Sequence, residues 1–261
     1  MAQTPDKHTG SAPLSARSAK APMVRTADGR LVRLKPGRSV QLTANKRAVD
    51  ICFVFDTTGS MSNKIDGLVS CMVDFVGDLS KLSLDWRITV VPFGDLTVPG
   101  DRVVADTRFV NTHGDAVGLL RTMPRFSGGG NLGESSLEAM LAAMGKNYRK
   151  GAVKILVVLT DESPLESPHL TTGFIQSSLL SQEFVCFVAS PDLASYRAWA
   201  ENTGGKWYLI RGGVDTTSLL AFLRDLMRDV ARVSNAVHEL GGVPRYRQVE
   251  EKRRRELGGA E

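Results

Sequence analysis

The stretch Val49–Ser62, VDICFVFDTTGSMS, decides how this chain is read. Apolar and β-branched residues run up to Asp56, three hydroxyl residues and a glycine follow at once, and helical spacing begins near Ser62. That pattern is a buried strand entering a polar loop that opens a helix. In open α/β sheets, ligands sit just beyond the carboxyl ends of the strands. Asp56, Thr58 and Ser60 recur at every second residue, so they gather hard oxygens in one small volume. A hard cation such as Mg²⁺ takes that chemistry.

A second apolar run, Val153–Thr160 (VKILVVLT), also ends in an aspartate, Asp161. Continuous apolar runs of this kind belong to parallel sheets covered on both faces. If the two strands are neighbours, Asp56 and Asp161 approach one another, and a divalent cation between them relieves their repulsion.

Between these runs the spacing predicts a helix from about 62 to 81, carried by Ile65, Leu68, Val69, Met72, Val76 and Leu79. A strand follows over Arg87–Phe93, with Pro92 marking its end or a break in pairing. Arg102–Val110 alternates loosely and is expected to be an antiparallel edge strand. A short helix over 115–123 and the loop Ser127–Gly133 lead into a helix from about Glu134 to Tyr148. Beyond Asp161 come a helix over 169–180, a strand over 184–189, a helix over 192–203 and a last strand over 207–210. A long helix over 216–240 closes the domain, and Gly241-Gly242-Val243-Pro244 stops it. Alternating strands and helices make the fold class α/β: a doubly wound, mostly parallel sheet flanked by helices, with one antiparallel edge strand.

These residues carry a resemblance. Asp56-Thr57-Thr58-Gly59-Ser60-Met61-Ser62 resembles the metal-ion-dependent adhesion site of von Willebrand factor type A (VWA) domains. The Gly-Gly-Gly-Asn segment and the Leu-Thr-Asp after the later strand fall in the family's order. The resemblance covers about 48–235 and implies that Asp56, Thr58, Ser60 and Asp161 are metal-site residues. Thr58 and Ser60 would bind directly, and at least one carboxylate would act through water. Where the family commonly has a threonine before the next helix, this chain has Gly130-Asn131. Asn131 offers an amide oxygen in its place, at lower negative charge.

The implied cofactor is Mg²⁺, with Mn²⁺ or Ca²⁺ as alternatives. The implied function is a non-enzymatic, metal-dependent protein-binding module of intracellular bacterial type, whose partner supplies an Asp or Glu carboxylate. An AAA+ ATPase, a kinase or a phosphatase is the kind of neighbour such members keep. Asp95 and Glu162, just past strand ends, are candidates for a partner-binding rim; plain surface acids are the duller reading.

Composition sets the remaining bounds. With 261 residues and 42% hydrophobic content the chain can bury a sizeable core. No apolar run reaches the roughly 18–20 residues of a membrane span, and the first twenty residues lack a secretory h-region, so a cytoplasmic location is expected. Cys52, Cys71 and Cys186 are odd in number and lie in apolar segments, as reduced thiols do. The net charge of +5 is uneven: residues 1–48 hold ten Lys and Arg against two Asp, and the remainder holds 23 against 26 Asp and Glu.

Residues 1–47 therefore read as a basic, largely disordered arm with a hairpin at 30–44 around Lys35-Pro36-Gly37-Arg38. Residues 48–240 form the VWA domain, and 241–261 a charged tail that extends or frays. The competing function is a scaffold that binds nucleic acid or an acidic partner through arm and tail, independently of metal. The arm has no aromatics on which bases would stack, which argues against nucleic acid. An aspartate-dependent phosphohydrolase is disfavoured because Thr58 stands where the second acid belongs.

Overall fold

The computed structural model describes residues 23–25, 31–33, 47–81, 84–129, 133–210 and 216–258. The chain divides into two compact units, 1–45 and 46–261. In the first, β1 (Met23–Arg25) pairs antiparallel with β2 (Leu31–Arg33), with Val24 opposite Val32. Of the hairpin expected at 30–44, only Leu31–Arg33 is among the described residues, and it pairs with Met23–Arg25. The sequence between the two strands carries Asp28-Gly29, a dipeptide that hairpin turns favour. The expected forward partner, 39–43, lies outside the described residues, as does the arm 1–22.

The second unit starts with β3 (Arg47–Asp56), a 3₁₀ turn at Gly59–Met61, and α1 (Ser62–Leu79). Then come β4 (Leu84–Phe93), α2 (His113–Arg121), α3 (Ser136–Met144) and β5 (Val153–Leu159). The chain continues through α4 (Thr172–Ser181), β6 (Phe184–Ser190), α5 (Ala194–Asn202) and β7 (Trp207–Leu209). It closes with α6 (Thr216–Leu240) and α7 (Val243–Gly258).

Five strands form one parallel sheet in the order β4-β3-β5-β6-β7. The alternation of β3 explains its two covered faces. Ile51, Phe53 and Phe55 pack toward α1, α2 and α6, while Cys52 and Val54 pack toward α3, α4 and α5. Both faces are dry because a strand's side chains alternate and helices cover each side. The chain leaves β3 toward β4 on one side, then crosses back to β5 on the other. The gap beyond the ends of β3 and β5 is therefore the topological switch point.

Several elements differ from expectation. The 102–110 segment runs antiparallel to β4 as expected, but forms with it only isolated backbone bridges at Phe93–Val103 and Ile88–Val110, with the Thr107 hydroxyl on Val90 O and beside Thr89 between them. Pro92 has no N–H for a ladder bond, and the Lys146 ammonium draws the carbonyls of Ala105 and Thr107 to itself at 2.7 Å each. Helix α3 starts at Ser136, two residues later than expected, because Glu134 is held in a bridge to the 163–165 loop.

The charged tail, expected to extend or fray, is the helix α7. Two of its arginines cap helices: Arg247 donates to Leu180 O in the last turn of α4 and to Phe184 O at the start of β6, each at 3.0 Å, and Arg254 donates to Glu201 O in the last turn of α5 and to Gly205 O at 2.8 Å. Guanidinium groups at the exposed carbonyls of helix ends are favoured by hydrogen bonding and by the helix dipole. Tyr246, 1% exposed, adds a bond to Gly204 O at 2.9 Å. Among the described residues no helix is long and apolar enough to cross a membrane.

Candidate metal centre

Asp56 ends β3 with no solvent exposure. Its Oδ1 accepts from the Thr58 N–H at 3.0 Å and the Thr58 hydroxyl at 2.6 Å, and its Oδ2 accepts from the Thr160 hydroxyl at 2.8 Å. The first bond is an Asx turn, which folds the loop back over its own carboxylate. Thr58 Oγ1 lies 3.2 Å from Ser60 Oγ, and Ser60 Oγ donates to Asp161 Oδ1 at 2.9 Å. Asp56, Thr58, Ser60 and Asp161 are thus one continuous cluster, built by the parallel pairing of β3 with β5. Asp56 and Thr58 are buried, Ser60 is exposed and Asp161 is half-buried, so the cluster opens to solvent on its Ser60 side. Met61 beneath the loop is fully buried in the core.

The glycine loop is clamped to this cluster. Gly59 N donates to Ser127 O at 3.2 Å, and Phe126 N to Thr57 O at 2.9 Å. Asp101 organises the loop from below, accepting from Ser127 N at 3.0 Å, Gly128 N at 2.8 Å and Asp95 N at 3.2 Å. Gly128 has φ +74°, and a Cβ there would meet Thr58 Cβ at 3.0 Å and Glu134 Oε1 at 3.2 Å, so glycine is required on both counts. The same contacts place Glu134 against the glycine that covers Thr58.

Glu134 joins this cluster although its sequence position reads only as a helix start. It is 4% exposed, and its Oε2 has no hydrogen-bond donor. Burial, followed by the nearby charges of Asp56, Asp95, Glu162 and Asp101, pushes its carboxyl up to about 8. Asp56 is also raised, first by burial, with Asp161 adding to the shift while the Thr58 and Thr160 bonds oppose it. Among the described residues, Asp56 and Glu134 have no ion pair, and Asp161 is paired with Lys64 at 2.6 Å.

The other expected positions are placed as follows. Asp95, expected at the rim, is fully buried. It binds Thr97 N at 2.8 Å and Thr97 Oγ1 at 2.7 Å, and a Cβ on Gly129 would strike its Oδ2 at 2.1 Å. Glu162 is half-buried beside Asp161, with its N–H on Thr160 Oγ1 at 3.2 Å and its carbonyl accepting from the Tyr196 hydroxyl at 2.9 Å. Asn131 lies outside the described residues.

The cluster fits a divalent cation on chemical grounds. It combines hard hydroxyl and carboxylate oxygens, an orphaned buried carboxylate oxygen and an excess of negative charge, open to solvent on one side. Among the described residues no three His, Cys, Asp or Glu side chains gather around one point, so hydroxyls must supply part of any shell.

A sequence model of the von Willebrand factor type A domain matches residues 50–179. No curated protein matches the chain. Among solved structures, the fold is similar to that of proximal thread matrix protein 1 from the mussel byssus, solved with a zinc-occupied metal-ion-dependent adhesion site motif. The identity is 18% and the TM-score 0.53, over 71% of this chain and 46% of that one. The chain therefore spans less than half the length of that protein. From the sequence match, the shared fold and the strand-end cluster together, the chain carries a von Willebrand factor type A domain.

Proposed function

We propose that this domain is a metal-dependent protein-binding module. Thr58 and Ser60, with the carboxylates of Asp56 and Asp161, would hold a divalent cation, Mg²⁺ by the hardness of the donors. Mn²⁺ and Ca²⁺ suit the same oxygens, and the zinc reported in the mussel protein supports a divalent ion in general. When bound, the cation supplies a positive centre to which a carboxylate from another protein can attach.

The chain's own residues do the remainder. Asp56, buried and folded onto Thr58, fixes that hydroxyl; Thr160 fixes Asp56; and Asp101 holds the backbone of Ser127 and Gly128 beside them. Ser60 and Asp161 form the accessible edge where a partner's Asp or Glu would arrive, with Glu162 beside them. An AAA+ ATPase, a kinase or a phosphatase in an intracellular assembly is the kind of partner we favour.

The observation that carries this reading is the charge imbalance: among the described residues two buried carboxylates, Asp56 and Glu134, have no ion pair, Asp56 accepting from two hydroxyls and one N–H and Glu134 Oε2 from nothing. Structural buried carboxylates are paired with bases. The scaffold alternative gains little from the tail, because Arg247 and Arg254 are engaged on carbonyls and Arg255 pairs with Glu251.

Calorimetric titration with Mg²⁺ tests the proposal, using the wild type, Asp56→Ala and Asn131→Asp. Wild type is expected to bind, Asp56→Ala to lose binding, and Asn131→Asp to bind more tightly. Partner capture that survives EDTA and Asp56→Ala, but fails without residues 1–47, would overturn it in favour of the scaffold.

A further inference from the structure

Lys64 breaks a local rule. It is the third residue of α1, where the exposed N–H groups and the helix dipole favour anions and disfavour cations. Its ammonium nonetheless turns inward, 14% exposed, and donates to Asp161 Oδ2 at 2.6 Å, where the carboxylate is 12% exposed. The other oxygen of Asp161 accepts from Ser60, which lies against Thr58, which donates to Asp56. Lys64 is thus one end of a continuous line of polar contacts through the whole cluster. A cation at an unfavourable helix position persists when something nearby compensates it, and here that is the carboxylate of the candidate metal centre.

We propose that Lys64 is a tethered counter-cation. It holds the hydroxyl–carboxylate cluster assembled when divalent ion is scarce, and raises the concentration at which the ion binds. The inference rests on the reading of the cluster as a divalent-cation site and adds its regulation. The ammonium offers Asp161 one positive charge on a flexible stem, with three donors and no vacant coordination position. While it sits on Oδ2, Asp161 stays oriented toward Ser60, and the net negative charge that attracts a second cation is lower by one. The site is preassembled, at a cost in affinity. It would therefore respond to changes in free divalent ion rather than stay filled at all times.

The test uses the full chain at constant ionic strength, titrated calorimetrically with MgCl₂, alongside metal-free and metal-saturated thermal melts. The proteins are wild type, Lys64→Met, Lys64→Arg and Asp56→Ala. Lys64→Met keeps the stem and removes the charge. Its Mg²⁺ affinity is expected to rise on the order of tenfold, the effect of removing one nearby charge in a partly screened setting. Its metal-free melt is expected to fall and its melt with Mg²⁺ to recover, while Lys64→Arg stays near wild type in both. If Lys64→Met proves poorly folded without metal, Lys64→Gln gives the same affinity comparison.

Wild type and Lys64→Met binding with equal affinity, or Lys64→Arg tightening as much as Lys64→Met, overturns the inference and leaves the metal site standing. Binding to neither wild type nor Lys64→Met, with Mn²⁺ as a second probe, overturns the metal site and the inference with it. Binding to Lys64→Met alone supports both.

Discussion

Strand β3 carries two fully buried aspartates six residues apart, Asp50 near its start and Asp56 at its end, and their surroundings are opposite. Asp50 receives the Arg87 Nε at 3.0 Å and Nη2 at 2.6 Å, and from Arg149 the backbone N–H at 2.7 Å and Nε at 2.8 Å. Burial alone would raise its pKa, but the hydrogen bonds from Arg87 and Arg149 and the charge of Arg149 outweigh burial and hold it below the ordinary 3.8. Asp56 receives only hydroxyls and one N–H, and its pKa is raised. One end of the strand closes its charge with bases supplied by the fold, and the other leaves its charge open. A buried carboxylate with matched guanidiniums is a structural joint. One with hydroxyls, near a second uncompensated acid, is suited to a ligand that brings positive charge.

The comparison breaks most visibly at Asp50. Asp50→Ala strands two guanidiniums and is expected to cost about 3–5 kcal/mol in urea denaturation, the usual penalty for removing one partner of a buried charge cluster. The pH dependence has a fixed sign. Because the folded-state pKa of Asp50 is depressed, its contribution is present above about pH 4 and lost as pH falls further. The variant should therefore lose part of the wild type's acid limb. An unchanged acid limb would mean that Asp50 is not the joint described.

Glu134 lies on the opposite side of the comparison, and so does its sign. Its folded-state pKa, raised from 4.5 to about 8, makes the metal-free fold bind the proton more tightly than the unfolded chain. Stability is full below about pH 4.5 and declines as pH rises toward 8. Glu134→Gln removes that decline. A higher melting midpoint by several degrees at pH 8 and little change at pH 4 is expected, at roughly 2–4 °C per kcal/mol for a domain of this size. Equal shifts at both pH values would sharpen the picture toward packing instead of charge.

The smallest effect is expected at Asp56 itself. Asp56→Asn loses charge-assisted bonds but also relieves repulsion from Asp161 and Glu134. Its metal-free stability should stay within about 1 kcal/mol of wild type while the Mg²⁺-induced gain in the melt disappears. A large loss of metal-free stability would place Asp56 with Asp50 and remove the contrast.

Much of this was legible in the residues because it is local. The strand-to-helix passage at 49–62 and the second strand ending at Asp161 show apolar periodicity followed by polar loops, and both lie where that pattern puts them. Asp56, Thr58 and Ser60 share a site because a turn brings every second residue to one side. Glu134 and Asp101 were not legible in that way. Glu134 follows a glycine run and precedes helical spacing, so it reads as a helix start until the 163–165 loop is seen to hold it. Asp101 follows Pro99-Gly100 and reads as a turn former. Asp95 reads as a rim acid and is buried under the glycine loop. The tail from 241 onward reads as solvated charge because its carbonyl partners, at Leu180, Phe184 and Gly205, are scattered along the preceding chain.

By itself, then, the sequence determined the parallel α/β frame and the edge at which Asp56, Thr58, Ser60 and Asp161 would gather. Hydrophobic period and turn chemistry act over a few residues, and parallel strands point their carboxyl ends one way. Only the tertiary structure decided the charge balance: which acids lack a base, which arginines close Asp50, and that Lys64 reaches Asp161. Electrostatic environment depends on burial and on distances between residues as far apart as 64 and 161, and no local pattern encodes those.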